Sequence, residues 1–246
     1  MAEDKQLTEF VERLKSAGGT NLQCVALFGS AAAEEFHPGF SDINLLCVVR
    51  ELSAAVLDAL APAVQWWTNN HHPAPLIFSG KEMDRVAAVF PIEMLDVRQQ
   101  HRILHGEDIF QNMQVPMDRH RVQLDHELRT KLLFLSQHYL LACGDAGRVR
   151  HLMLDSASNF ITLFRHTLIA MGQKPPRTKA EVTEQLAQRA KFDASPFLQL
   201  LQVRERKLTA DSVDARATFA KYFEGIEKVI QVLDAIPVSS PVAAAL

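Results

Sequence analysis

A chain of 246 residues with 48% hydrophobic content and a net charge of -3 has material for one large packed domain or two small ones. No apolar run approaches the roughly 18 residues of a membrane span, and no basic stripe is present for gripping duplex nucleic acid, so neither a membrane protein nor a duplex binder is expected. The polar, partly acidic start, Met1 to Gln6, leads to the expectation of a cytoplasmic protein. The charge is uneven: residues 1–117 hold 8 Lys+Arg against 15 Asp+Glu, or -7, and residues 118–246 hold 18 against 14, or +4. The first half therefore favours cations and the second anions.

In chain order, Leu7, Phe10, Val11 and Leu14 share one face of a helix over Leu7 to Ala17, closed by Gly18-Gly19. Leu22 to Phe28 is short, continuous and apolar, the pattern of a buried strand, and it runs directly into Gly29-Ser30. Asp42 to Val49 reads as a second strand and Ser53 to Val64 as a helix. Pro75 to Phe78, Pro91 to Val97 and His101 to His105 read as further strands, the last ending at Gly106. Strands alternating with helices predict a small α/β unit.

The pattern changes near Gln111 to Asp118. Beyond it Leu124, Leu128, Leu132 and Leu135 recur at three and four, and Leu152, Phe160, Leu163, Phe164 and Leu168 do much the same. Further helices are predicted from about Lys179 to Lys191, Ser195 to Lys207 and Ser212 to Ala235, with Pro237 and Pro241 ending order. The expected organisation is an α+β domain with a small mixed sheet over 1–117 and an all-α bundle over 118–246.

Cys24, Cys47 and Cys143 all lie in apolar segments without the close spacings of zinc ligands, so buried thiols are expected. His71-His72 and the pair His101 and His105 lack the companions that a transition-metal site requires.

The chemistry concentrates at the ends of the first two strands. Gly29 lets the backbone turn and approach a ligand closely, and backbone N–H groups with the Ser30 hydroxyl can bind phosphate oxygens. Positions 42 and 44 point to one face of a strand, where two oxygen-bearing side chains can share a hard cation such as magnesium. Asn44 contributes an oxygen without the charge, which weakens most a two-metal mechanism.

Leu27-Phe28-Gly29-Ser30 followed by Ser41-Asp42-Ile43-Asn44-Leu45-Leu46 resembles the nucleotidyltransferase superfamily that includes DNA polymerase beta and kanamycin nucleotidyltransferase. That family pairs Gly-Ser, about ten residues on, with Asp-apolar-Asp; here Asn44 replaces the second Asp, and Ala31 to Ala33 replace polar and basic residues often found there.

The resemblance implies Gly29, Ser30 and Ser41 on the phosphates of ATP or another nucleoside triphosphate, and Asp42, Asn44 and Glu93 on magnesium. Glu93 would also be the base, with Asp96, on the opposite strand face, as the alternative third acid. It further implies a helical domain supplying cations to the triphosphate, with Arg129 and Lys131 as candidates. The expected activity moves a nucleoside monophosphate to a hydroxyl of an unidentified small molecule or protein. The alternative is a catalytically degenerate relative that binds a nucleotide or a protein. A second motif, Arg121 to His126, fits the Arg-x4-His spacing of HEPN-type ribonucleases.

Overall fold

The computed structural model describes residues 2–32 and 43–236, with side chains from Asp4 onward except that of Ser30. The chain divides into two compact units, 1–116 and 117–246.

The first unit contains helix α1 (Ala2–Gly18), strands β1 (Leu22–Phe28) and β2 (Asn44–Val49), helix α2 (Ala54–Asn69), strand β3 (Leu76–Ser79), helices α3 (Met83–Val89) and α4 (Pro91–Gln99), and strand β4 (His101–Gly106). The sheet order is β3-β2-β1-β4. β1 is antiparallel to both neighbours, and β2 is parallel to β3, so the sheet is small and mixed. Such a sheet needs a crossover between β2 and β3, and α2 supplies it.

Alternation divides the sheet into two faces. Val25 and Leu27 of β1 with Leu45, Cys47 and Val49 of β2 form one core with Leu7, Phe10, Val11 and Leu14 of α1 and Leu60, Ala63 and Trp67 of α2. Phe10 and Trp67 stack with centroids 4.6 Å apart. By the same register Cys24, Ala26, Leu46 and Val48 face the opposite side, and α3 packs beside β3 and α4 beside β4.

The helix predicted from Ser53 to Val64 continues to Asn69. Ser53 caps it by accepting from the Val56 N–H, and Pro62 is tolerated on an exposed face, where water serves the carbonyl that has lost its N–H partner.

Residues 91–97 form a helix and not the predicted strand. The run holds strand-favouring Ile92 and Val97, but its apolar residues arrive as Pro91-Ile92, Met94-Leu95 and Val97, a repeat of three that closes on a helix, and all five are buried. Pro91 at the first turn has its φ preset for a helix and needs no N–H partner there. Glu93 and Asp96, expected on opposite faces of a strand, are three apart on one helix and therefore share a face.

The second unit is all helical: α5 (Met117–Ala142), α6 (Ala146–Ala170), α7 (Lys179–Ala190), α8 (Ser195–Arg204) and α9 (Ala215–Asp234). α6 is the central helix, with Val149, Met153, Ala157, Phe160, Ile161, Phe164 and Leu168 buried against its neighbours. Phe164, Phe192, Phe197 and Tyr222 interlock at ring distances of 4.6–5.8 Å. Gly225 makes room for them, since a Cβ there would lie 2.9 Å from the Phe197 ring.

The helix starts carry their own capping chemistry. Asp145 accepts from the Arg148 N–H, Thr178 and Glu181 form a reciprocal capping box, and Asp214 accepts from the Arg216 and Ala217 N–H groups. Among the described residues, no helix is long and apolar enough to cross a membrane.

Candidate functional site

β1 delivers Phe28 to the end of the sheet, where Gly29 takes a left-handed conformation, φ +73°, and opens a short 3-10 turn over Gly29–Ala31. The turn is closed by the Ala32 N–H donating to the Gly29 carbonyl at 3.0 Å. A residue with a Cβ pays steric strain at this φ, so glycine is what lets the strand end in this turn.

Across the ladder Phe28 is paired with Asn44, the first residue of β2. The Asn44 amide nitrogen stands 3.4 Å from the point a Cβ on Gly29 would occupy, so Asn44 lies directly against the turn. The two halves of the sequence motif, about fifteen residues apart in the chain, thus meet through one side chain and one glycine.

On its other side Phe28 is paired with His101 of β4, which places Asn44, Phe28 and His101 in a row across three strands on one face. His101 is only 11% exposed at its side chain; Nδ1 is 2.6 Å from the Val97 carbonyl oxygen and Nε2 is 3.1 Å from Asp108 Oδ1. Both ring nitrogens are engaged, so neither is left to hold a metal.

Asp108 reaches this ring because the chain reverses at Gly106. A Cβ on Gly106 would lie 1.8 Å from the Gln23 carbonyl oxygen, and φ is +81°, so only glycine fits the turn. Burial pushes the Asp108 carboxyl up, but hydrogen bonds from the Phe110 N–H and from His101 outweigh it and hold the carboxyl below its ordinary value.

His101 and Asp108 were not among the residues the sequence singled out for this site. They are seven apart across a strand and a reversal, and the β1–β4 ladder carries a register shift between Val25 and Ala26 that no local pattern encodes. His105 pairs with Val25, on the α1 and α2 face, so the two histidines of β4 do not converge.

Ser41, Asp42 and the Ser30 side chain lie outside the described residues. Glu93 and Asp96 lie half-buried on α4 and not on a strand of the sheet. None of the four strands carries an Asp or Glu at any position, so the expected third carboxylate next to β2 has no strand to come from among the described residues. In particular β3, the parallel neighbour of β2, reads Leu76-Ile77-Phe78-Ser79. Among the described residues, no group of three or more His, Cys, Asp or Glu is arranged to hold a metal.

The basic candidates of the helical unit have partners inside it. Arg129 is held between Asp125, at 2.9 Å, and Asp234 at the end of α9, and hydrogen bonding to Asp234 and Asp125 raises its pKa further. Lys131 lies 3.3 Å from Glu127, one turn earlier. Arg121 donates to the Leu233 carbonyl at 2.7 Å, whereas His126 is exposed; five residues on a helix place the two about 140° apart, so the Arg-x4-His spacing makes no shared site here.

Cys24 and Cys47 are buried as expected, their thiols pushed up by burial to about 11 and about 12, with the Asp108 carboxylate also acting on Cys24 and Cys24 on Cys47. Cys143 is a correction, because it is exposed: α5 ends at Ala142 and the chain turns outward through Gly144 before α6. His72 stacks on Trp67 at 3.8 Å and meets Gln6 Oε1 at 3.2 Å, a structural role.

The fold has a counterpart among solved structures. The spectinomycin adenyltransferase AAD(9) from Enterococcus faecialis, solved with ATP and spectinomycin, is similar over 94% of this chain and 98% of its own, with a TM-score of 0.55 and 15% sequence identity. The chain has a nucleotidyltransferase-like fold. No family model matches it, and no curated protein matches it in sequence.

Proposed function

We propose that this protein binds a nucleoside triphosphate at the Gly29 and Asn44 end of the sheet and transfers a nucleoside monophosphate to a hydroxyl of a small molecule or protein. The observation that carries the reading is the contact between Gly29, in its left-handed turn, and Asn44. A glycine turn beside an amide side chain, whose oxygen is a ligand type that magnesium accepts, suits a phosphate with its cation. The adenyltransferase fold, in a neighbour solved with ATP and a small molecule, supports the same substrate classes.

In this reading Gly29, Ser30 and Ser41 bind phosphate oxygens. Asp42 and Glu93, with Asn44 as a neutral oxygen ligand, are the residues that would hold magnesium, which when bound neutralises phosphate charge. Asn44 is chemically a magnesium donor but brings no charge, so the site is weaker for a dication than one with two carboxylates on β2. Glu93 takes the proton from the attacking hydroxyl. Arg129 and Lys131 contribute to nucleotide binding only by giving up their present carboxylate partners.

A second reading, a nucleotide- or protein-binding module without chemistry, is favoured by one specific observation: no described strand carries an acid.

Calorimetric titration with a non-hydrolysable ATP analogue separates the two. The enzyme reading expects binding that tightens with magnesium, tightens again in Asn44→Asp, and pyrophosphate release from ATP with a suitable acceptor. Binding indifferent to magnesium in both forms leaves the binding-module reading standing, and no nucleotide binding in either form refutes the nucleotide site altogether.

A further inference from the structure

Helix α5 buries His120, Leu124, Leu128, Leu135 and Ala142 within the second unit, and its outer surface changes character half-way along. The first half exposes Asp118, Arg119, His126 and Arg129 with a single apolar residue, Val122, among them, an ordinary solvated face. The second half exposes Leu133 (57%), Phe134 (52%), Leu140 (76%) and Leu141 (71%), and from Leu132 to Gly144 there is no Asp, Glu, Lys or Arg. Isolated exposed leucines need no explanation, but four large apolar side chains on adjacent turns with no charge among them form a contiguous patch of the kind that marks an interaction surface.

The patch is symmetric about one residue. Gln137 is exposed at its centre, with Leu133 and Phe134 at four and three residues before it and Leu140 and Leu141 at three and four after it. Positions at three and four residues on either side of a centre lie on one helix face. The pattern therefore reads the same in both directions. An antiparallel copy of the same helix, related by a two-fold axis at Gln137, sets Leu133 and Phe134 of each chain against Leu140 and Leu141 of the other, the self-complementary arrangement that a two-fold interface requires. At the axis the two Gln137 amides each have a donor and an acceptor to offer the other.

We propose that the uncharged face of α5 centred on Gln137 is a homodimer interface, occupied by the same face of a second copy of this chain. The area is sufficient. At roughly 100 Å² for each large apolar side chain, the four with Gln137 and its rim give roughly 500 Å² per copy. The pair then buries about 1,000 Å², the lower bound of a specific interface. A partner of opposite charge has nothing to pair with here, whereas an equally neutral surface of matching pattern does.

The test uses the full chain. Sedimentation velocity across micromolar to hundred-micromolar concentrations is expected to show a monomer–dimer equilibrium, and Leu133→Gln with Leu140→Gln to weaken it at least tenfold. Both side chains are exposed in the single chain, so circular dichroism and the unfolding transition are expected to stay as in the parent. Gln137→Cys in a Cys143→Ser background is expected to form a disulfide-linked dimer under mild oxidation, because residue 137 alone meets its own copy at the axis. A parent that stays monomeric throughout, a dimer untouched by the double substitution, or a Gln137→Cys chain that does not cross-link overturns the proposal; the first of these is also what coverage of the face by another part of the chain or by a different protein would give.

Discussion

Replacing Gly29 by Ala tests whether the left-handed turn at the end of β1 is the feature that organises the candidate site. At φ +73° an L-residue carries a steric cost of about 1–2 kcal/mol. Ala also restricts the unfolded chain relative to Gly, which offsets roughly 0.5 kcal/mol of that. The added Cβ would stand 3.4 Å from Asn44 Nδ2, the near edge of ordinary van der Waals contact, so the methyl group fills the space beside the amide. The net expectation is a loss of about 1 kcal/mol, with a methyl group set between the turn and the Asn44 amide.

Both tryptophans of the chain, Trp66 and Trp67, lie on α2, and Trp67 is fully buried against Phe10, so tryptophan fluorescence during urea unfolding reads the first unit. With a slope of about 2 kcal/mol per molar urea, the midpoint should fall by about 0.5 M.

Gly19→Ala is the comparison. Its φ is also positive, +49°, but nothing lies within 4 Å of its added Cβ, so it carries the backbone cost without the contact to Asn44. Binding of an ATP analogue should fall in Gly29→Ala and not in Gly19→Ala. An unchanged midpoint in Gly29→Ala, or equal effects of the two on nucleotide binding, would refute the argument that the turn and its contact to Asn44 form the site.

Two further outcomes follow from the second unit and from the cysteines. Asp193 is lowered to about 2, chiefly by its hydrogen bond with Lys221 and then by those from Ser195. Its folded value lies below the unfolded one near 3.9, so its contribution is complete above about pH 4 and is lost as the pH falls toward 2. The side chain is 42% exposed, which reduces that contribution to about 1 kcal/mol; Asp193→Asn should lose this at neutral pH and flatten the acid limb of a far-ultraviolet circular dichroism stability profile, and an acid limb unchanged by the substitution would show that the pair contributes nothing. A thiol reagent added to the folded chain should modify Cys143 alone, with Cys24 and Cys47 reacting only on denaturation; rapid modification of more than one thiol in the native state would contradict the burial of the β1 and β2 cysteines.

The sequence by itself determined the elements whose cause is local. The apolar runs of β1 and β2, the Leu and Phe repeats of α5 and α6, and the breaks at Gly18-Gly19, Gly144 and Met171 to Pro176 are written in hydrophobic period and backbone freedom, which short stretches of chain encode completely. Gly29 and Asn44 were linked in the sequence by the motif's resemblance to the nucleotidyltransferase superfamily, and the antiparallel pairing of β1 with β2 is what brings them together. Residues 91–97, Pro91-Ile92-Glu93-Met94-Leu95-Asp96-Val97, are short and apolar enough to suit a strand while their apolar positions also fit a helix, and packing beside β4, a tertiary contact, decides between them. His101 and Asp108 entered the site only through β4 joining the far edge of β1 with a register shift and through the reversal at Gly106. One of the two partners of Arg129 was equally out of sight: Asp125 is one turn away on the same helix, but Asp234 is more than a hundred residues away and arrives there because α9 packs against α5. Side-chain placement that depends on which elements become neighbours is a property of the assembled chain, and no window of sequence contains it.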